Sequence, residues 1–392
     1  MSTQSISHSP DPASVDLPST PERQLGQVRE LIEECGITDD ADLVERIVIE
    51  GLGLGEDGAD RLNLKIASSA ISEMRQAFQL FARFDGRPKV TVFGSARTKP
   101  DDVVYQMARD VAERLAAMNW LVVTGAGPGI MQAATEGAGP ESSIGVAIRL
   151  PFESPNPTFT DETNLVSMKY FFTRKLMLVK ESQGFVCIPG GFGTLDELFE
   201  LLTLQQTGKS VPTPIVLLDR PAEGVPTEAV SAHASRARNR AGYDPAADEA
   251  PPRPIGGFWS GLRRFVDDQL IPSGVVSPDD LDRVMITDSV DEAVHEIAHF
   301  WNNYDSLRWV GSRLILRLRN APTDDEIADL NRRFSYLTPD AAICRTEPLR
   351  PETRDHDKVD LPRLMLTPDS RQIGHLFQLI RAINDLPSAP RE

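Results

Sequence analysis

The chain has 392 residues, with 41 Lys and Arg against 58 Asp and Glu, a net charge of −17. At roughly 150 residues per domain, that length allows two to three domains. A surface so acidic repels a phosphate backbone and argues against a nucleic-acid partner. Three scattered cysteines, Cys35, Cys187 and Cys344, form neither a disulfide framework nor a zinc motif and fit a reducing cytoplasm.

Residues 1–22, rich in Ser, Pro and Asp, read as a disordered tail. They have neither the basic start nor the apolar core of a secretory signal. No apolar run approaches the roughly 20 residues that span a bilayer, so no membrane partner is expected. Residues 23–86 read as a helical segment: Leu25, Val28, Leu31 and Ile32 recur on one face, and a second amphipathic run covers Leu62 to Phe84. The glycine-rich piece Gly51 to Asp60 is expected to break the two.

From residue 87 short apolar strands alternate with helices. Strands are predicted at Lys89 to Ala96, from Trp120, at Ile144 to Ile148, Gly184 to Ile188, Pro214 to Leu218 and Val284 to Thr287. Helices are predicted at Asp102 to Met118, Gly129 to Gly137, Tyr170 to Glu181, Thr194 to Gln206, Phe258 to Gln269 and Ser289 to Asn303. Near-continuous apolar strands between helices indicate a doubly wound parallel α/β sheet of Rossmann-like type over residues 87–303, with helices on both faces. Glycines after its strands place a ligand at their carboxyl ends. Residues 220–257, rich in Pro, Ala, Glu and Arg without periodicity, read as a mobile insertion. Residues 304–392 read as a small α+β appendage, with strands at Ser312 to Leu318 and Leu364 to Leu366 and helices at Asp324 to Phe334 and Gln372 to Ile383.

Four motifs carry candidate chemistry. Gly125-Ala126-Gly127-Pro128-Gly129 could admit a phosphate to a helix N-terminus. It departs from the dinucleotide fingerprint, because position 130 is Ile and the next strand ends on Arg149 where an acid is expected. A tight turn without a ligand would also explain it. Pro189-Gly190-Gly191-Phe192-Gly193-Thr194-Leu195-Asp196-Glu197 opens a helix with three glycines, a strong anion cradle that lacks the lysine of a P-loop. Thr194 and Glu197 also have capping-box spacing, and function and cap weigh equally for Glu197. Dipole complementarity alone could explain Asp196. Arg174-Lys175 near this cradle could clamp a phosphate or polarise a leaving group, or could be a solvated basic turn. His295-Glu296-Ile297-Ala298-His299 matches the zinc-peptidase helix. It lacks a well-placed third ligand, and exposed histidines on a helix packed through Val294, Ile297 and Trp301 are expected instead.

Phe171-Phe172-Thr173-Arg174-Lys175 followed by Pro189 to Glu197 resembles the Lonely Guy family, whose signature is P-G-G-x-G-T-x-x-E. Its members were long labelled lysine decarboxylases. Gly94-Ser95, Gly125 to Met131 and Phe258 to Asp288 also match its pattern, so the resemblance covers about residues 87–303. It implies hydrolysis of the N-glycosidic bond of nucleoside 5′-monophosphates, AMP-like or cytokinin ribotides, to free base and ribose 5-phosphate, with no cofactor and no metal. It implies Arg174 and Glu197 as the catalytic pair and Gly190, Gly191, Gly193 and Thr194 around the phosphate. Gly94, Ser95, Gly127 and Gly129 would line the rest of the pocket, with Met168 and Lys175 touching base or phosphate. It further implies a cytoplasmic homodimer or higher homo-oligomer. The flanking regions, absent from short members, put cytokinin specificity in doubt. The alternative is a non-catalytic nucleotide or molybdenum-cofactor carrier on the same fold.

Overall fold

The computed structural model describes residues 22–149, 164–221, 257–338, 342–369 and 374–391. The expected tail (residues 1–22) lies outside them but for its last residue, and the insertion (220–257) lies outside them but for its two ends.

Helices α1 (Glu22–Glu34), α2 (Ala41–Glu56) and α3 (Arg61–Ala82) come first. Arg29 grips Glu45 with two hydrogen bonds, tying α1 to α2. The expected break does not begin at Gly51. Glycine weakens a helix by about 1 kcal/mol but does not obstruct it. α2 therefore runs through Gly51, Gly53 and Gly55 and stops only before Gly58, which takes a left-handed φ of 70°.

The next unit is a seven-stranded, wholly parallel sheet in the order β4-β3-β2-β1-β5-β6-β7. Its strands are β1 (Lys89–Phe93), β2 (Leu121–Thr124), β3 (Ser143–Ile148), β4 (Leu165–Met168), β5 (Gly184–Cys187), β6 (Ile215–Leu218) and β7 (Val284–Thr287). β1, β2, β5 and β6 are buried along their whole length, as β-branched strands covered on both faces must be. The intervening helices are α4 (Val103–Ala117), α5 (Ile130–Ala138), α6 (Phe171–Lys180), α7 (Phe192–Gln206), α8 (Phe258–Phe265) and α9 (Val290–His299). Val90, Val92, Val122, Val186 and Val216 meet Ala108, Val111, Leu115 and Ile297 in the core. The chain order reverses between β1 and β5, and a sheet of this kind opens its crevice at such a reversal.

Beyond α9 a second sheet, antiparallel, takes the order β10-β11-β9-β8. It consists of β8 (Tyr304–Val310), β9 (Arg313–Leu318), β10 (Cys344–Arg345) and β11 (Arg363–Leu366). α10 (Asp324–Arg333), the short α11 (Arg350–Arg354) and α12 (Leu376–Asn384) accompany it. Leu314, Leu316, Leu364, Leu330, Phe377 and Ile380 form its own core. Among the described residues no helix is long and apolar enough to cross a membrane.

Candidate active site

Three loops leave the carboxyl ends of β1, β2 and β5 side by side, and Ser95 knits them together. Its N–H donates to the Pro189 carbonyl at 3.3 Å, and its carbonyl accepts from Ile130 N–H at 3.0 Å. Gly129 has a φ of 68°, and a Cβ there would collide with the Ser95 carbonyl. The first glycine loop is therefore packed against its neighbour, and the first N–H of α5 is already satisfied. Gly94 is likewise filled from above by the Ile130 side chain, and Gly127 by Met131. These residues shape the floor of the site.

The second glycine loop differs. Gly190 is wedged between Thr194 and Ser95, but nothing lies within 4 Å of where a Cβ would stand on Gly191 or Gly193. The open side of these glycines flanks the α7 N-terminus, where the first backbone N–H groups have no intrahelical partner. α7 begins at Phe192 with Gly191 as its N-cap and no side-chain capping bond. Thr194 is consequently the third residue of the helix rather than its cap. The capping-box reading of Glu197 falls with it, because Glu197 lies in the second turn.

Glu197 is only 6% exposed, and its Oε2 is buried with no hydrogen-bond partner among the described residues. Burial pushes its carboxyl up to about 7, against the pull of Lys175 and Arg174; Glu200 and Asp196 add to the upward push. Arg174 comes from α6. Its Nε donates to the Val146 carbonyl of β3 at 2.9 Å, which fixes the guanidinium plane. Burial draws its pKa down while the Glu197 charge supports it. The guanidinium lies directly over Gly125, where any Cβ would collide with Nη2. Gly125 and the Val146 carbonyl are thus the parts of the site that sequence reasoning did not assign. Gly125 stood inside the first glycine motif, but only the fold shows that its missing side chain makes room for Arg174.

Two of the expected contact residues are engaged by the protein itself. Met168 is fully buried in β4, and its carbonyl accepts from Arg149 N–H. The Lys175 ammonium is held by Asp196 and Glu200, each at 2.9 Å. The zinc-like helix is also resolved. Glu296 is buried, not solvated, and accepts two hydrogen bonds from Arg381 of α12 at 2.9 and 2.7 Å. His299 Nε2 meets Asp385 at 2.8 Å, and both histidines are half-buried where exposure was expected. The motif joins the last helix of the parallel-sheet unit to the C-terminal appendage.

Residues 129–222, which carry both α7 and Arg174, match the family described as "Possible lysine decarboxylase". The α/β domain is thus similar to the Lonely Guy family over this stretch. Curated relatives include the cytokinin riboside 5′-monophosphate phosphoribohydrolase of Mycobacterium tuberculosis, 25% identical over 199 residues, covering 50% of this chain and 86% of that protein. The protein of the same name from Mycobacterium marinum is 24% identical over 217 residues, covering 54% of this chain and 95% of its own. Among solved structures, the molybdenum cofactor carrier protein of Chlamydomonas reinhardtii aligns with a TM-score of 0.31 and 18% identity, over 54% of this chain and 96% of that one. The family match covers residues 129–222, so the N-terminal helices and the C-terminal appendage lie outside it.

Proposed function

We propose that the protein hydrolyses the N-glycosidic bond of nucleoside 5′-monophosphates, releasing the free base and ribose 5-phosphate. One observation carries the reading. A buried carboxylate with, among the described residues, no partner on one oxygen stands with a fixed guanidinium beside an open, glycine-rich helix N-terminus. The names of the two mycobacterial relatives support the same substrate class.

The N-terminus of α7, with Gly191, Gly193 and Thr194, holds the 5′-phosphate through backbone N–H groups. Anchoring the phosphate spends remote binding energy on placing the reacting bond. As the C1′–N bond lengthens, its electron pair moves to the base and positive charge builds on the ribose. The Glu197 carboxylate stabilises that charge and takes a proton from the attacking water, whose oxygen bonds C1′. Arg174 stabilises the negative charge on the departing base, which ends the step protonated by solvent. Glu197 then returns its proton to solvent, so the net change is substrate plus one water to free base plus ribose 5-phosphate.

A homodimer belongs to this reading. Phe171, Phe172 and Leu176 on α6 and Phe192 and Phe199 on α7 are exposed around the site, Phe192 to 92%. Large apolar side chains clustered over two neighbouring helices mark an interaction surface. The reading places the protein in the cytoplasm, in keeping with three free cysteines.

The test is to incubate the purified protein with AMP, GMP, CMP, UMP and isopentenyl-AMP and to measure released base by chromatography. Wild type should release a base, and Glu197→Ala and Arg174→Ala should each lower the rate at least 100-fold while staying folded. If no monophosphate is cleaved but one binds tightly, the protein is a carrier.

A further inference from the structure

The catalytic pair comes from two helices seated on different supports. α6 packs on β3 and β4 at one edge of the sheet, whereas α7 packs toward the helical turn at Pro278–Arg283 on the other side. Between them stands Lys175, the immediate neighbour of Arg174. Its ammonium, 16% exposed, reaches Asp196 Oδ2 and Glu200 Oε2, each at 2.9 Å. Those two carboxylates bracket Glu197, one residue before it and three after. One lysine therefore fastens the Arg174 backbone to both sides of the Glu197 turn.

We infer that Lys175 is a positioning residue: a clamp that holds α6 against α7 so that Arg174 and Glu197 face one substrate, rather than a group that touches the substrate itself. This inference rests on the nucleosidase reading. Burial lowers the Lys175 pKa, but the hydrogen bonds its ammonium donates to Asp196 and Glu200 outweigh it and hold the pKa above its ordinary value, so it is a cation at neutral pH and does not act as a base. The charged or titratable groups that bear on Glu197 are Arg174 and Lys175 from α6, Asp196 and Glu200 from α7, and Cys187 of β5. Removing the Lys175 cation leaves two carboxylates unopposed beside Glu197 and pushes its carboxyl further up. Removing the two carboxylates instead leaves a bare cation and pulls it down.

The experiment compares wild type with Lys175→Met, Lys175→Arg and the double variant Asp196→Asn with Glu200→Gln. Rates of base release from the best monophosphate are measured across pH. Lys175→Met should lower kcat at least tenfold with KM changed less than threefold, and should move the acid limb of kcat/KM to higher pH. The double variant should lower kcat comparably while moving that limb to lower pH, and Lys175→Arg should recover most of kcat. A large rise in KM for Lys175→Met with normal kcat in the double variant would mean that Lys175 binds substrate, and would overturn the clamp. An independent readout separates this inference from the reading beneath it. In protein carrying 13C-labelled glutamate, the Glu197 carboxyl signal is assigned by its loss in Glu197→Gln. Its titration should shift upward in Lys175→Met and downward in the double variant even if no monophosphate is cleaved. An unmoved titration sinks the clamp.

Discussion

Two buried glutamates show how differently this chain treats a carboxylate. Glu352, in the C-terminal unit, is fully buried and saturated with partners. Its Oε1 accepts from Arg317 Nε at 3.0 Å, Arg317 Nη2 at 2.8 Å and Arg363 Nε at 3.3 Å, and its Oε2 accepts from Leu349 N–H at 3.0 Å. Glu197, in the parallel-sheet unit, is 6% exposed, and its Oε2 has no such partner among the described residues. A buried charge is expensive unless paired and hydrogen-bonded. Glu352 meets that condition and holds the crossover at Arg350–Arg354 onto β9 and β11. Glu197 does not on its Oε2 among the described residues, and under the proposed reading that oxygen is left for a reacting sugar. On that reading, burial with an unmet bond, rather than burial alone, separates the functional carboxylate from the structural one.

Substitution should separate the two roles. Glu352→Ala strands Arg317 and Arg363, which are nearly inaccessible. Breaking a buried pair from one side costs about 3–5 kcal/mol, so the chemical denaturation midpoint should fall sharply. A loss under 1 kcal/mol would erase the contrast. Glu197→Gln should do the opposite, abolishing base release while stabilising the fold. With the carboxyl raised to about 7, the native state binds more protons than the unfolded chain from about pH 4.5 to 7. Wild-type stability should accordingly decline across that window and level off above it, while the Gln variant stays flat there. Above pH 7 the variant should be more stable, by about 3 kcal/mol, in denaturation curves at each pH. The same titration should make base release rise with pH toward a plateau above about 7, because the carboxylate form is the active one.

The features that distinguish these glutamates were unequally legible. The alternation of apolar strands and helices placed β1, β2, β3, β5, β6 and β7 within a few residues, because each is a mostly apolar run between helical stretches. β4 was not read: Leu165–Met168 is a four-residue strand carrying a polar residue, Ser167, within it. β8 escaped because its polar and apolar residues are mixed along a strand mostly half-buried, and β10 is only two residues. Pro189 to Glu197 pointed to the candidate site, but its spacing fitted a capping box equally well. Only the observed helix start at Phe192 separates the two readings. The first glycine loop was legible as a turn, but the Ser95 carbonyl that closes it comes from another strand. Contacts of that kind, like that of Arg317 with Glu352, join residues tens of positions apart, and no local pattern announces them.

Glu296 offers the smallest and sharpest test, because it lies between the two cases. It is buried and bonded, yet to a single arginine that remains partly exposed. Its fellow contact, His299 with Asp385, is more open still, with Asp385 66% exposed. Charge-assisted hydrogen bonds of intermediate burial contribute about 2 kcal/mol, and exposed pairs up to about 1 kcal/mol. Glu296→Gln should therefore cost about 2 kcal/mol and His299→Ala less than half of that, both read as shifts of the unfolding midpoint. Base release should survive both substitutions, because α9 joins β7 to the appendage and lies away from the loops after β1, β2 and β5. If Glu296→Gln instead reduced base release as Glu197→Gln does, the His-Glu-x-x-His helix would belong to the chemistry after all. A buried carboxylate with a full set of partners would then no longer be a reliable sign of a structural role.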